Sequence, residues 1–161
     1  MKCIKKLVAL TLAAVLALAM LTACSGIPSV PDTSEQAKQI VDNINAVRTE
    51  NGMEALKTNP TATDVAVKML NLYVKRYQNE ITEEEYKTKR DKLRDIRVEG
   101  KYNYGSMMGT EDASGEYILK KDTWTKRYDK DKLAFGSRGE YIGVAVKIMS
   151  NGKRATVILY Y

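Results

Sequence analysis

The lack of histidine limits the chemistry that this sequence can perform. The chain of 161 residues contains no histidine and two cysteines, Cys3 and Cys24. Catalytic triads use an imidazole to take the proton from serine or cysteine, and zinc sites generally use imidazole or thiolate ligands. The sequence therefore excludes Ser-His-Asp and Cys-His catalysis and argues against zinc. We expect no catalytic residues, no metal and no cofactor.

One segment keeps the spacing of a serine–lysine catalytic pair, which needs no imidazole. Ser150-Asn151-Gly152-Lys153 spells S-x-x-K. Catalytic S-x-x-K motifs place the two side chains one turn apart on a helix, whereas Asn-Gly favours a turn between two strands. We therefore interpret the segment as a turn.

An acidic segment matches part of a calcium-loop pattern. Asp129, Asp131 and Glu140 occupy positions 1, 3 and 12 of the template. Leu133 and Ala134 stand where the template requires a ligand and a turn glycine. The segment after Glu140 also resembles a strand and not a helix. We interpret these residues as a solvated charged loop.

Several aromatic side chains lie beside basic residues and could contact a ligand. Rings next to lysine or arginine can stack on sugar rings or bind an anionic polymer. The alternative is ordinary packing, which we favour for Trp124 more strongly than for Tyr102 and Tyr104. The aromatic residues are Tyr102, Tyr104, Trp124 and Tyr128, and their basic neighbours are Lys126, Arg127 and Lys130.

The first 23 residues have the layout of an export signal. Three lysines precede an apolar run from Leu7 to Ala23, as in a secretory signal peptide. Cys24 follows small residues in a pattern that resembles the bacterial lipobox. We expect cleavage before Cys24 and a lipid on its thiol. The alternative is an uncleaved membrane helix, although the run is near the lower limit of about 17 to 25 residues.

The chain therefore divides into a signal peptide (1–23), a lipid-anchored linker (24–34) and one domain (35–161). We expect the protein at the cell membrane, facing outside the cytoplasm, at the cell surface or in the periplasm. The formal charge of +6 includes three signal lysines, so the mature chain is mildly basic. Its expected partners are the membrane, through Cys24, and a cell-wall glycan, lipid or envelope protein, but not nucleic acid.

The domain begins with helical patterns and ends with strand-like ones, an α+β order. Start signals are a capping residue, a first-turn proline or a capping box. Asn51-Gly52 ends the first helix. The strand-like runs are 141–149 and 154–161, joined by Asn-Gly, which predicts a type I′ hairpin turn. The helix start signals are Thr33 or Ser34, Asn59-Pro60, Thr82 with Glu85, and Ser114 before a short helix to Trp124.

Two short motifs are shared with a known protein family. Asn45 and Arg48 lie in a segment, 44–52, that is followed by Leu56 and Asn59-Pro60. Near the other end, Trp124 precedes Ile142-Gly143-Val144-Ala145. Both motifs resemble bacterial members of the CAP superfamily, which includes cysteine-rich secretory proteins, antigen 5 and pathogenesis-related proteins.

The resemblance implies a three-layer α-β-α sandwich with N-terminal helices and a C-terminal β-hairpin. In many members a cleft holds two histidines and two acidic residues, often around a divalent metal. Here Lys130 stands in the register of one histidine. Lys101-Tyr102-Asn103 falls at the family's Gly-Glu-Asn motif, where Asn103 keeps the asparagine and Tyr102 stands in place of the glutamate. The resemblance therefore implies a CAP-like domain with a degenerate cleft.

We expect this domain to be a non-catalytic binding module for a cell-envelope glycan, lipid or protein. The alternative is a carboxylate-dependent cell-wall hydrolase, because sequence alone does not reveal whether two carboxylates lie close together. A purely structural role in the envelope would require no cleft. The candidate ligand-binding cleft consists of Tyr102, Asn103, Tyr104, Trp124 and Lys130.

Overall fold

A computed structural model of the protein describes residues 33–130 and 138–161. The expected signal, Cys24 and the linker up to residue 32 lie outside the described residues. Asp131, Leu133 and Ala134 of the calcium-like pattern lie outside them as well. Within the described ranges, no helix is both long and apolar enough to cross a membrane.

The described residues begin with a helix and end in a hairpin. The described helices are α1 (Thr33–Glu50), α2 (Pro60–Tyr77), α3 (Glu83–Arg94) and α4 (Lys121–Lys130). The described strands are β1 (Lys57–Thr58), β2 (Gly105–Asp112), β3 (Tyr141–Ile148) and β4 (Lys153–Tyr160).

The strands form one sheet in the order β1-β3-β4-β2. β4 pairs antiparallel with both β2 and β3. β1 pairs parallel with β3, but only through Lys57 opposite Tyr141 and Thr58 opposite Ile142. The rest of β3 has no described strand on that side.

Helices cover both faces of the sheet. Side chains alternate along β3, so Val144 and Val146 pack with α1 and Trp124, while Ala145 packs with α2. Leu93 of α3 packs against the α2 side of the core. The arrangement is an α+β, three-layer α-β-α sandwich ending in a β-hairpin, which confirms the expected fold class.

The helix starts follow local capping chemistry. The side chain of Asn59 accepts hydrogen bonds from the backbone at the start of α2, where Pro60 is the first residue. Thr82 and Glu85 form the predicted capping box of α3. α1 already includes Thr33 and Ser34, and it ends before Gly52, which has φ of +74°. These predictions are confirmed for α2, α3 and the end of α1.

The predicted helix start at Ser114 is wrong. The Asp112 side chain accepts hydrogen bonds from the backbone N–H and the hydroxyl of Ser114, so Ser114 lies in a turn directly after β2. α4 begins at Lys121. A side chain that stabilises a turn competes with helix capping, and here the turn is preferred.

The hairpin is confirmed, but its turn is not type I′. The N–H of Gly152 bonds to the carbonyl of Met149, and Gly152 has φ of +74°. Asn151 is not among the described residues with positive φ, whereas a type I′ turn needs positive φ at two positions. The geometry is that of a type I turn followed by a left-handed glycine. Ser150 and Lys153 therefore lie on a turn, as interpreted from the sequence.

Candidate binding groove

Tyr102 lies beside an arginine and is exposed. The guanidinium of Arg97 stands 4.0 Å from the centroid of the Tyr102 ring and also hydrogen-bonds to its hydroxyl. Because Tyr102 is 57% exposed, one part of its ring remains accessible. The cation–π contact fixes the ring against the chain that follows α3.

Asn103 and Tyr104 are gathered around the end of β4. The amide nitrogen of Asn103 donates to the carbonyls of Gly105 and Tyr160. The rings of Tyr104 and Tyr160 lie with their centroids 6.3 Å apart. Both residues therefore anchor the entry into β2, and they contact protein groups.

Trp124 and Lys130 do not join these tyrosines. Trp124 is 0% exposed, and its indole N–H donates to the carbonyl of Ile118 at 3.0 Å. A ring buried in the core has no face for a ligand, so its place in the predicted cleft is wrong. Lys130 is an exposed residue at the end of α4, and no contact within the described ranges links it to Tyr102.

Tyr104 and Arg48 share a partly buried environment. Burial raises the pKa of Tyr104 to about 12, and the positive charge of Arg48 opposes this shift. The pKa of Arg48 is lowered by burial, and its electrostatic interactions with Tyr104 and Tyr160 offset only part of this shift. The pKa of the buried Tyr160 is also raised, mainly by desolvation.

The raised pKa values of Tyr104 and Tyr160 lead us to expect a loss of stability at high pH. Their pKa is raised in the folded state, and the unfolded chain ionises first, near pH 10. The contribution is therefore complete below about pH 10 and is lost as the pH rises through about 12. We expect the urea midpoint to fall over this range, and to fall less in Tyr104→Phe. Tyr117→Phe, at an exposed tyrosine, should behave like the wild type. An equal fall in Tyr104→Phe would contradict the assignment.

A groove with a volume of about 1000 Å³ lies between α1 and α2. This size is at the upper end of the range of about 300–1,000 Å³ for small-molecule sites. β1 and β3 contribute residues between the two helices. The apolar side chains that line it include Val41, Leu56, Val67, Leu70, Val144 and Val146.

Asn45 and Arg48, which form an Asn-x-x-Arg motif in α1, hold the segment from Glu54 to Leu56 that borders this groove. The side-chain amide of Asn45 donates to the carbonyl of Leu56 and accepts from its N–H. Two residues away on the same segment, Glu54 receives a hydrogen bond at its carbonyl from Nε of Arg48 at 2.8 Å. The motif therefore ties the end of α1 to β1, and it contributes positioning and not chemistry.

The charges at the groove are mostly basic. Lys38 pairs with Asp42 at 2.5 Å, one turn apart on α1. Lys57 and Lys147 also line the groove, and neither forms an ion pair within the described residues. Among those residues, no group of three or more acidic or cysteine side chains is placed to hold a metal. The arrangement suits a ligand that combines apolar and anionic parts.

The groove was missed by sequence reasoning. The sequence held one indication of it: Val67 is an apolar residue of α2 that does not belong to the buried face of the helix and is 44% exposed. A single exposed valine is common on protein surfaces, so it does not reveal a groove by itself.

Comparisons with known proteins give a distant structural similarity. No protein-family model matches the sequence, and no curated protein matches it. Among solved structures, the chain is similar to a cysteine-rich secretory protein from Staphylococcus aureus subsp. aureus Mu50, with 16% identity and a TM-score of 0.49. The match covers 82% of this chain and 41% of that chain. This chain thus spans less than half the length of that protein.

Proposed function

We propose that this protein is a membrane-anchored, extracytoplasmic lipoprotein whose CAP-like domain binds a cell-envelope ligand without converting it. The groove between α1 and α2 is the observation that carries the proposal. Its apolar lining, with Lys57 and Lys147, which form no ion pair among the described residues, suits a ligand with both apolar and anionic groups. The groove replaces the cleft around Trp124 as the contact surface.

Three of the described carboxyl groups are poorly suited to be the general acid that the alternative, a hydrolase, needs. Glycoside cleavage uses one carboxylic acid whose pKa is raised so that it can donate a proton. The pKa values of Glu85, Asp112 and Glu140 are all lowered, each mainly by hydrogen bonds to a neighbouring side chain or backbone group. Groups of this kind remain ionised and are poor general acids.

The role of the groove in binding is tested with a large side chain that fills it. Full-length protein in phospholipid nanodiscs is incubated with isolated cell-envelope material, and both bound protein and released fragments are measured. We expect binding without release, and at least a tenfold loss of binding for Val67→Trp. Lys75→Trp places the same side chain on an exposed part of α2 away from the groove and should bind normally. Equal binding by both variants contradicts a role for the groove, and released fragments favour the hydrolase.

The lipid anchor is tested at Cys24. We expect the wild-type protein to incorporate labelled palmitate and to sediment with membranes, because the thiol carries the lipid. Cys24→Ser should lose the label, whereas Cys3→Ser, within the signal, should keep it. A Cys24→Ser protein that keeps the label would contradict lipidation at this residue. Loss of the label from both variants would point to a general failure of export.

A further inference from the structure

The edge of β3 presents backbone groups beside the groove that pair with no described strand. Tyr141 and Tyr161 exchange two backbone hydrogen bonds, each of 3.0 Å. Opposite residues in an antiparallel pair alternate between bonded and non-bonded, and the pairing continues in register to Ile148 opposite Arg154. Val144, Val146 and Ile148 therefore direct their N–H and C=O groups away from β4.

β1 does not cover these groups. It is two residues long and pairs only with Tyr141 and Ile142. Asn59 then caps α2, and Pro60 turns the chain into the helix. The first turn of α2 packs so closely on β3 that a Cβ at Gly143 would overlap the Ala62 carbonyl. The chain thus leaves the sheet at the point where the uncovered edge begins.

The side chains next to this edge suit an extended polypeptide. Val144 and Val146 line the groove on the α1 side, and Lys147 lies on the opposite side. A strand placed here would present alternate side chains to the two helices, because its side chains alternate between faces. Lys57 and Lys147 have no ion-pair partner within the described residues, so they favour acidic residues in that strand.

We propose that this edge, from Val144 to Ile148, binds an extended, acidic polypeptide segment of a partner protein as an added strand of the sheet. The proposal rests on the proposed function, because it names the ligand class of the same groove. Edge strands with unpaired backbone groups are templates for strand addition. The added strand would continue the line of β1 and supply the missing hydrogen bonds.

Two other occupants satisfy the observations less well. An acyl chain would fill the apolar lining, but it offers no donors or acceptors to the backbone of Val144 and Val146. A second copy paired edge to edge would bring Lys57 and Lys147 of both copies together, and like charges repel. A polypeptide satisfies both the backbone groups and the charge.

The first experiment uses the full-length protein in phospholipid nanodiscs and a displayed library of random 12-residue linear peptides, with empty nanodiscs as the background. Enriched peptides are measured by fluorescence polarisation against the wild type and Val67→Trp. We expect enriched peptides to be acidic and to lose binding to Val67→Trp. The absence of any groove-dependent peptide overturns strand addition, while loss of envelope binding in Val67→Trp would still support the groove itself.

The second experiment separates strand pairing from other modes of peptide binding. N-methylation is scanned along the best peptide, which removes one backbone donor at a time without changing the protein. We expect weakening of about tenfold at every second position, where the amide faces β3, and little change between them. A scan with no alternation overturns the proposal.

A protein variant provides the complementary test. Val146→Pro removes an N–H that faces the groove, and proline is tolerated at edge strands in that orientation. We expect weaker peptide binding for Val146→Pro than for Val146→Ala, which loses the valine but keeps the N–H. Equal affinity of the two variants overturns the role of the backbone.

A charge reversal tests the preference for acidic segments. Lys147→Glu should lower the affinity for acidic peptides, and an unchanged affinity overturns the assigned charge preference.

Discussion

Replacing Arg154 with methionine is expected to lower the free energy of unfolding by about 3 kcal/mol, because the partners of a buried guanidinium lose their donor. Arg154 is 3% exposed. Its Nη1 donates to Glu111 at 2.6 Å, and the carbonyls of Gly115 and Ala113 accept from the same guanidinium. Its Nε donates to Gln36 of α1 at 3.0 Å. One side chain therefore joins β4, β2, the following turn and α1.

The effect is measured by urea denaturation monitored by circular dichroism. Lys153→Met is the matched control, because Lys153 pairs with Asp112 at 3.7 Å where both side chains are exposed. Exposed pairs of this kind contribute about 0–1 kcal/mol. The same small loss in both variants would show that the Arg154 network is not a major source of stability.

A methyl group at Gly143 is expected to lower the free energy of unfolding by about 3 kcal/mol or more, because it would force α2 away from the sheet. A Cβ at this position would overlap the backbone carbonyl of Ala62, and it would lie 2.9 Å from the backbone nitrogen of Thr63. Backbone atoms in the first turn of a helix cannot move as a flexible side chain can. The glycine of the Ile-Gly-Val segment is therefore required by close packing.

Gly143→Ala is compared with Gly109→Ala in β2, where a Cβ would have open space around it. We expect the control to be neutral or slightly stabilising, since alanine restricts the unfolded chain. Thermal unfolding and urea midpoints of the two variants check this. A stable Gly143→Ala protein would contradict the close approach of α2 to β3.

Groove binding provides a functional check on the same substitution. Since α2 forms one wall of the groove, a displaced α2 in Gly143→Ala should also weaken envelope binding. Gly109→Ala, in β2 on the far side of β4 from the groove, should leave binding unchanged. This difference would tie the loss of binding to the displaced α2.

Sequence reasoning succeeded where the interactions are local. Asn59 caps α2, and Thr82 with Glu85 caps α3, because each cap joins residues that are at most three positions apart. The pattern from 141 to 161 likewise predicted the hairpin. Gly152 alone adopts the left-handed conformation in its turn, so Asn-Gly indicated the turn but not its type.

The sequence did not predict those parts of the structure that depend on contacts between distant parts of the chain. β2 includes Gly105, Gly109 and polar residues that have weak strand preference, and its pairing with β4 along eight positions sets its conformation. Trp124 was included in the candidate cleft, although its sequence context favoured ordinary packing. Packing against α1 and the sheet places it in the core.

The sequence by itself determined the order of helices and hairpin and the lack of imidazole chemistry, because these depend on residue types and short spacings. The export signal stays a prediction. Only the tertiary structure decided the site. The groove combines residues 33–45, 56–71 and 144–147, which are distant along the chain. Within the described residues, the edge of β3 beyond Ile142 is not covered by another strand, because β1 ends at Thr58 while β3 continues to Ile148. The relative lengths of two paired strands are set by packing, so the sequence of neither segment alone predicts them.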